Sequence, residues 1–431
     1  MTITPSDSQA AAIRRIKDWF EHRTDDQQVF RLFGYAGTGK STVLRFALAD
    51  LGLDAADAAD VVTATFTGKA AMVLRQKGTP AQTIHSLIYS VQEAPEEEIA
   101  EAEKTLAQME GDAMGLAGWD RMDAEAKCEA MRQTIKEMRR PQFRLNPESA
   151  AVDAKLIVLD EVSMVGGDMA RDLLSYGRPI LVLGDPGQLP PIKGEGAFVD
   201  AAPDVMLTEV HRQAAESAVI RLATWARQGR PIPMGLHDPM VAKMPFGDLS
   251  PEMCLKADQV ICGRNDTRVM LNNGIRRVAG RSGVLPAPGE KIICLKNSKA
   301  HGVVNGMFLD LEEAIDDAEL IFKARLKTEE GDVVGEPNRK GEAPWVPVYK
   351  GPFLDHVQLD KDRGSRDWKL LRKIKPLEMV FGYAITCHKA QGSGWRNVIV
   401  WDDGLGRTEA DRRRWLYTAI TRAEEGLVLL S

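Results

Sequence analysis

The eight residues Gly34-Tyr35-Ala36-Gly37-Thr38-Gly39-Lys40-Ser41 constrain the fold of this chain more than any other stretch. They follow an apolar run, Val29–Phe33, and precede a helical pattern over Ser41–Leu51, so a strand must deliver a glycine-rich turn directly into a helix N-terminus. Glycines let the turn wrap until its N–H groups converge on phosphate oxygens, and the helix end adds partial positive charge. In the pattern G-x-x-x-x-G-K-[ST], Lys40 reaches the β- and γ-phosphates and Ser41 ligates Mg²⁺. Gly34, Ala36, Gly37, Thr38, Gly39 and Thr42 complete the cradle. The pattern calls for an α/β fold and for a nucleoside triphosphate with Mg²⁺.

A second apolar run, Leu156–Leu159, ends at Asp160-Glu161. Such a strand delivers Asp160 to the outer shell of a metal and places Glu161 where it can polarise an attacking water. A glutamate base for water favours hydrolysis over phosphoryl transfer to a small substrate.

Further strand candidates are Val61–Ala64, Ile180–Leu183, Gln259–Cys262, Val398–Trp401 and Leu427–Leu430, alternating with helical patterns as in parallel α/β sheets. Two segments break the alternation. Ser90–Ser149 is polar and helix-prone and holds 14 acids against 8 bases. Lys296–Lys375 carries the hairpin signal Asn305-Gly306 and a glycine- and proline-rich stretch over 331–352, and reads as a small β module with long loops. The chain's net charge of -6 resides entirely in the first segment, so the remainder is neutral and has room for a local basic track. Five cysteines, odd in number and without a C-x-x-C pair, argue against a disulfide framework and a zinc site. The longest apolar runs fall short of ~18 residues and the polar start lacks a cationic flank, so the expectation is a soluble, cytoplasmic protein with no membrane partner.

Six more segments follow one order along the chain. They are Thr63-Ala64-Thr65-Phe66-Thr67-Gly68-Lys69-Ala70-Ala71, Thr83-Ile84-His85-Ser86-Leu87, Leu183-Gly184-Asp185-Pro186-Gly187-Gln188-Leu189-Pro190-Pro191, Leu207-Thr208-Glu209-Val210-His211-Arg212-Gln213, Thr386-Cys387-His388-Lys389-Ala390-Gln391-Gly392-Ser393 and Tyr417-Thr418-Ala419-Ile420-Thr421-Arg422-Ala423. With the two motifs above they resemble superfamily 1 helicases, specifically the B branch that includes RecD and the phage protein Dda. The resemblance implies two RecA-like P-loop domains with parallel sheets, residues 1–89 with 150–205 and residues 206–295 with 376–431. Residues 90–149, outside the match, then stand as a helical insertion in the first, and residues 296–375 as a small SH3-like β insertion in the second.

ATP would lie in the cleft between the domains. On this resemblance Arg212 and Arg422 act as arginine fingers, the alternative being surface salt bridges, Gln188 senses the γ-phosphate, and Gln9 reads adenine. Single-stranded DNA would cross Phe66, Thr67, Lys69 and His85 on one domain and Thr386, His388 and Lys389 on the other; the two histidines also fit hydrogen-bonded cap or core positions. The expected activity is an ATP-dependent DNA helicase moving 5′ to 3′ on single-stranded DNA and on duplexes with a single-stranded tail, a monomer with a replication or recombination protein as the kind of partner implied. Competing readings are a DNA-stimulated ATPase that remodels protein–DNA complexes without unwinding, and a DNA-binding adaptor, against which the intact Lys40, Ser41, Asp160, Glu161, Arg212 and Arg422 speak. Departures from the family pattern are Phe66, where many relatives have proline, Gly394, where a polar residue is frequent, and the first insertion. Dda-type relatives carry a compact β-hairpin pin there, so the pin residue is unassigned, with Trp119 and Phe143 as candidates.

Overall fold

Alternate residues of the apolar runs face opposite sides of one sheet. Leu32, Leu156, Val158, Leu181 and Leu183 pack on one side, and Phe33, Ile157, Leu159, Ile180 and Val182 on the other. Strands buried on both faces suit a parallel sheet covered by helices. The computed structural model, which describes residues 4–431 apart from 25, 93, 139–141, 191–195, 210–216, 317, 330, 337–342, 355–369 and 372, has such a sheet in the first lobe. Its parallel order is Gln82–Thr83, Val61–Thr65, Leu156–Asp160, Ile180–Gly184, Val29–Gly34, Val205–Leu207.

The second lobe repeats the plan in the order Ala384–Thr386, Gln259–Cys262, Trp395–Trp401, Ala423–Leu430, Val241–Met244, Gly235–Asp238, parallel except for the last pair. Every strand expected from the sequence lies within one of these two sheets.

The first insertion is an antiparallel helical hairpin, Glu96–Met114 and Gly118–Met138, carried on a two-stranded ribbon, Tyr89–Gln92 with Gln142–Leu145. Helical periodicity is clear in the sequence, whereas each ribbon strand is only four residues long and leaves no periodic signal. Ile99, Ala113, Cys128 and Ile135 are the buried apolar side chains between the helices, which are otherwise solvated.

The second insertion is a five-stranded antiparallel sheet in the order Val346–Tyr349, Ile321–Thr328, Phe308–Ile315, Lys291–Cys294, Met379–Phe381, with its own core around Leu309, Phe322 and Val348. Its last two strands lie outside 296–375, because the module closes by pairing the chain's entry with its exit. A buried bidentate pair, Arg276 to Glu290 at 2.6 and 2.9 Å, roots it on the helix Asn265–Val278 of the second lobe. Among the described residues no helix is long and apolar enough to cross a membrane.

Candidate functional site

The strand Val29–Gly34 and the helix Lys40–Asp50 hold the phosphate loop between them. Gly39, at φ 79°, enters the helix from the left-handed region, which a side chain would resist. Lys40 Nζ donates to the Gly34 carbonyl at 2.7 Å, and Thr38 Oγ1 donates to the Tyr35 carbonyl at 2.8 Å. Gly37 and Ser41 are exposed at the mouth of the loop, beside the partly covered Ala36 and Thr42. Gln9, expected to read adenine, is 1% exposed; its amide donates to the Thr38 carbonyl at 3.2 Å and accepts from Ser6 N–H at 3.1 Å. In this state it braces the first helix against the loop.

Asp160 ends its strand partly covered, and Glu161 follows in the left-handed region at φ 53°. Desolvation, and then the neighbouring Glu161 charge, push the Asp160 carboxyl up to about 6, opposed by the Glu161 N–H and by Lys40. Burial raises Asp185, against Lys40 and a hydrogen bond from Tyr417. Two carboxylates, one of them buried, facing one lysine leave room for a further cation. The donors in reach, a hydroxyl and a carboxylate, suit Mg²⁺, which takes one or two carboxylates and completes its shell with water and substrate phosphates.

The second lobe closes over this loop. From the helix Glu409–Ile420, Tyr417 donates its O–H to Asp185 Oδ2 at 2.6 Å and accepts the Ala36 N–H at 2.9 Å. Thr418 Oγ1 accepts from Leu189 N–H at 2.9 Å, and Gln391 donates to the Leu189 carbonyl at 3.2 Å. The Arg227 guanidinium stacks 3.4 Å from the centre of the Tyr35 ring. Gln188 is 7% exposed and its Oε1 has no partner among the described residues. Arg422 is 6% exposed and donates to the carbonyls of Thr418 and Ser393 at 3.1 and 3.0 Å, so its guanidinium is held inside the second lobe. Arg212 lies outside the described residues. Tyr417 and Asp185 stand in motifs that the sequence reading valued for other residues. Arg227 stands in an ordinary amphipathic helix that carried no signal.

All seven residues expected to meet DNA line one cavity of about 630 Å³. Phe66 and Thr67 follow the strand Val61–Thr65, Lys69 begins the helix Gly68–Gln76 that Thr67 caps, and His85 sits on the helix Ile84–Ile88. Thr386 ends a strand of the second lobe, with His388 and Lys389 on the helix that follows. Strand carboxyl ends on both lobes thus supply the lining, as ligands of open α/β sheets require. Phe143 of the ribbon joins an aromatic cluster with His85 and Tyr89 at ring separations of 5.9 and 6.0 Å, and Phe66 meets His85 at 6.0 Å. Desolvation holds His85 and His388 below the ordinary histidine pKa, leaving neutral rings at pH 7 that stack or donate hydrogen bonds. Burial also lowers Lys389, whose Nζ donates to Asn305 Oδ1 at 2.5 Å. Asn305 and Arg268 also line the cavity. In the sequence Asn305 reads as a turn residue and Arg268 lies in a helix without a motif, so neither carries a signal for the site.

Residues 4–237 match the AAA domain family, and residues 381–430 match the UvrD-like helicase C-terminal domain. The first match covers more than half of the chain, which belongs to that family, and with the second it makes the chain similar to superfamily 1-type helicases such as RecD2 and Pif1. The ATP-dependent RecD2 DNA helicase of Deinococcus radiodurans is 26% identical over 284 residues, 63% of this chain and 35% of that protein. The chain therefore spans about a third of the length of that curated relative. Two structures of Bacteroides Pif1, one bound to single-stranded DNA and one with ADP-AlF3 and single-stranded DNA, share the fold. Their TM-scores are 0.54 and 0.52 at 15% and 14% identity, over 99% of this chain and 92% of each of those.

Proposed function

We propose that the chain is an ATP-driven DNA helicase that moves 5′ to 3′ on single-stranded DNA and opens duplexes carrying a single-stranded tail. The observation that carries this reading is the convergence of side chains from both lobes on one groove, Phe66, Lys69 and His85 facing Thr386, His388 and Lys389, while the same two lobes meet across the phosphate loop. A change in lobe separation at the nucleotide is thereby a change in grip on the strand.

In this reading Lys40 and the loop N–H groups hold the ATP phosphates, and Ser41 and Asp160 hold Mg²⁺, which offsets charge on the phosphates. Glu161 takes a proton from the attacking water. Gln188, its side-chain oxygen without a partner among the described residues, senses the γ-phosphate, and Gln9 reaches adenine once released from its brace. Arg422 approaches the transferring phosphoryl only when the lobes close further, because it must first leave the carbonyls of Thr418 and Ser393, and Arg212 is the second arginine finger of this reading. The five-stranded module acts as the SH3-like cover of the groove, and Phe143, on the ribbon at the groove mouth, is the better placed of the two pin candidates. Trp119 lies at the far turn of the helical hairpin, about 28 Å along a 19-residue helix.

The test pairs ATP turnover, with and without a single-stranded oligonucleotide, with strand separation on 5′- and 3′-tailed duplexes. Stimulated turnover, unwinding of the 5′-tailed duplex alone, and loss of both in Lys40→Ala are expected. Unwinding only from 3′ tails would overturn the polarity, and unchanged turnover in Lys40→Ala would overturn the nucleotide site.

A further inference from the structure

Lys69 is expected to meet the strand, yet its ammonium is paired within the chain. Lys69 Nζ lies 2.7 Å from Glu329 Oε2. Glu329 stands in the turn after the strand Ile321–Thr328, where the Gly331 N–H closes onto the Thr328 carbonyl at 2.9 Å. Its other oxygen faces Lys291 Nζ at 3.7 Å. Both ammoniums also lie over the Phe308 ring, 5.8 Å from its centre for Lys69 and 4.2 Å for Lys291. Lys291 is anchored by the Asp258 carbonyl at 3.2 Å and Gln259 Oε1 at 3.4 Å, so it stays in place if Lys69 departs. Asp310 and Asp258 are the other acids whose charge reaches Lys291, the Asp310 carboxyl being raised by burial and by Glu329.

Two lysines converging on a single carboxylate over an aromatic ring make a seat for one anionic oxygen pair. The lysine side chains are 13% and 24% exposed, so the seat is sheltered from water and its charges are only partly screened. It is also open to the groove on one side, because Lys69 lines that groove with Thr67 and Lys389.

We propose that Lys69 seats one phosphodiester of a bound strand, and that the Glu329 carboxylate, held beside it by Lys291, fills that seat in cis until the strand arrives. The proposal rests on the DNA reading above and adds a competitor to it. A strand gains Lys69 only by displacing Glu329, which Lys291 then retains. Without DNA, the same pair ties the first lobe to the β insertion across the groove. A strand rather than a free phosphate is the ligand, since the seat continues a row of strand-facing groups instead of standing alone.

The experiment measures fluorescence anisotropy of a short labelled oligodeoxythymidine with wild type, Glu329→Gln, Lys69→Gln and the double variant across a series of NaCl concentrations. Glu329→Gln should bind roughly three- to fivefold tighter at low salt, as loss of a partly shielded ion-pair competitor allows. Its plot of log affinity against log salt should also steepen, because added salt weakens the Lys69–Glu329 competitor in the wild type and has none to weaken in the variant. In the Lys69→Gln background the Glu329 substitution should change neither quantity. Wild-type binding with unchanged affinity and slope in Glu329→Gln would overturn the proposal alone. No binding by any of the proteins, together with ATP turnover that DNA does not stimulate, would overturn the DNA reading and the seat with it. Inorganic tripolyphosphate at matched ionic strength should gain nothing from Glu329→Gln, and an equal gain would overturn the strand as ligand.

Discussion

Glu161 holds a backbone conformation that its own side chain disfavours. At φ 53° and ψ 47° it sits in the left-handed region, which costs a residue with a Cβ about 1–2 kcal/mol and glycine almost nothing. A position under structural selection alone would favour glycine or asparagine. The glutamate persists at the end of the strand Leu156–Asp160, and in the proposed reading the conformation serves to aim its carboxylate at the attacking water. Glu161→Gly should therefore leave the thermal midpoint unchanged or slightly raised, the relief of strain offset in part by about 0.5–1 kcal/mol of added unfolded-chain entropy. ATP turnover should be abolished in the same protein. Scanning calorimetry alongside an ATPase assay reads both, and a marked fall in the midpoint would show that the side chain holds the fold instead.

At the scale of elements, legibility followed the strength of the local signal. Seven of the parallel strands are continuous apolar runs, several ending at chemistry-bearing turns, and are legible in the sequence, whereas the short Gln82–Thr83, Val205–Leu207, Val241–Met244 and Ala384–Thr386 give no comparable run. The helical hairpin was legible from its length and polarity. The ribbon under it was not, since four-residue strands separated by some fifty residues give neither period nor turn signal. Two strands of the β insertion lie beyond its apparent limits for a related reason. Lys291–Cys294 and Met379–Phe381 fall in stretches that belong to the second lobe until their pairing is known. The ribbon alone brings Phe143 to the groove, so the helices it carries are dispensable for that contact. Joining Gln92 to Gln142 through an Asn-Gly turn should preserve DNA-stimulated turnover and unwinding. Loss of unwinding with folding intact, judged by circular dichroism and melting, would assign the hairpin a part in strand separation.

Across the whole molecule, one tyrosine hydroxyl spans the two lobes at the phosphate loop. Tyr417 links Ala36 of the first lobe, Asp185 beside it and the helix that leads to Arg422. None of this was legible in the sequence, because a hydroxyl's partners 232 and 381 residues away leave no local trace. Tyr417→Phe removes the hydroxyl and keeps the ring. A hydrogen bond to a charged group contributes ~1.5–3 kcal/mol, so stimulation of turnover by DNA should fall about tenfold or more. The ratio of turnover with and without oligonucleotide reads this directly, and an unaltered ratio would remove Tyr417 from the coupling. The groove itself is bounded by the first lobe, the second lobe, the ribbon and the β insertion, and Gly68 lies so close to the insertion that an added Cβ would come within 2.8 Å of Val304. With the Lys69–Glu329 contact closed, these parts form a ring of protein and not an open trough. A strand with a free end can be threaded through such a ring, whereas a covalently closed circle can enter only by parting the insertion from the first lobe, so loading becomes a question of topology as well as of affinity.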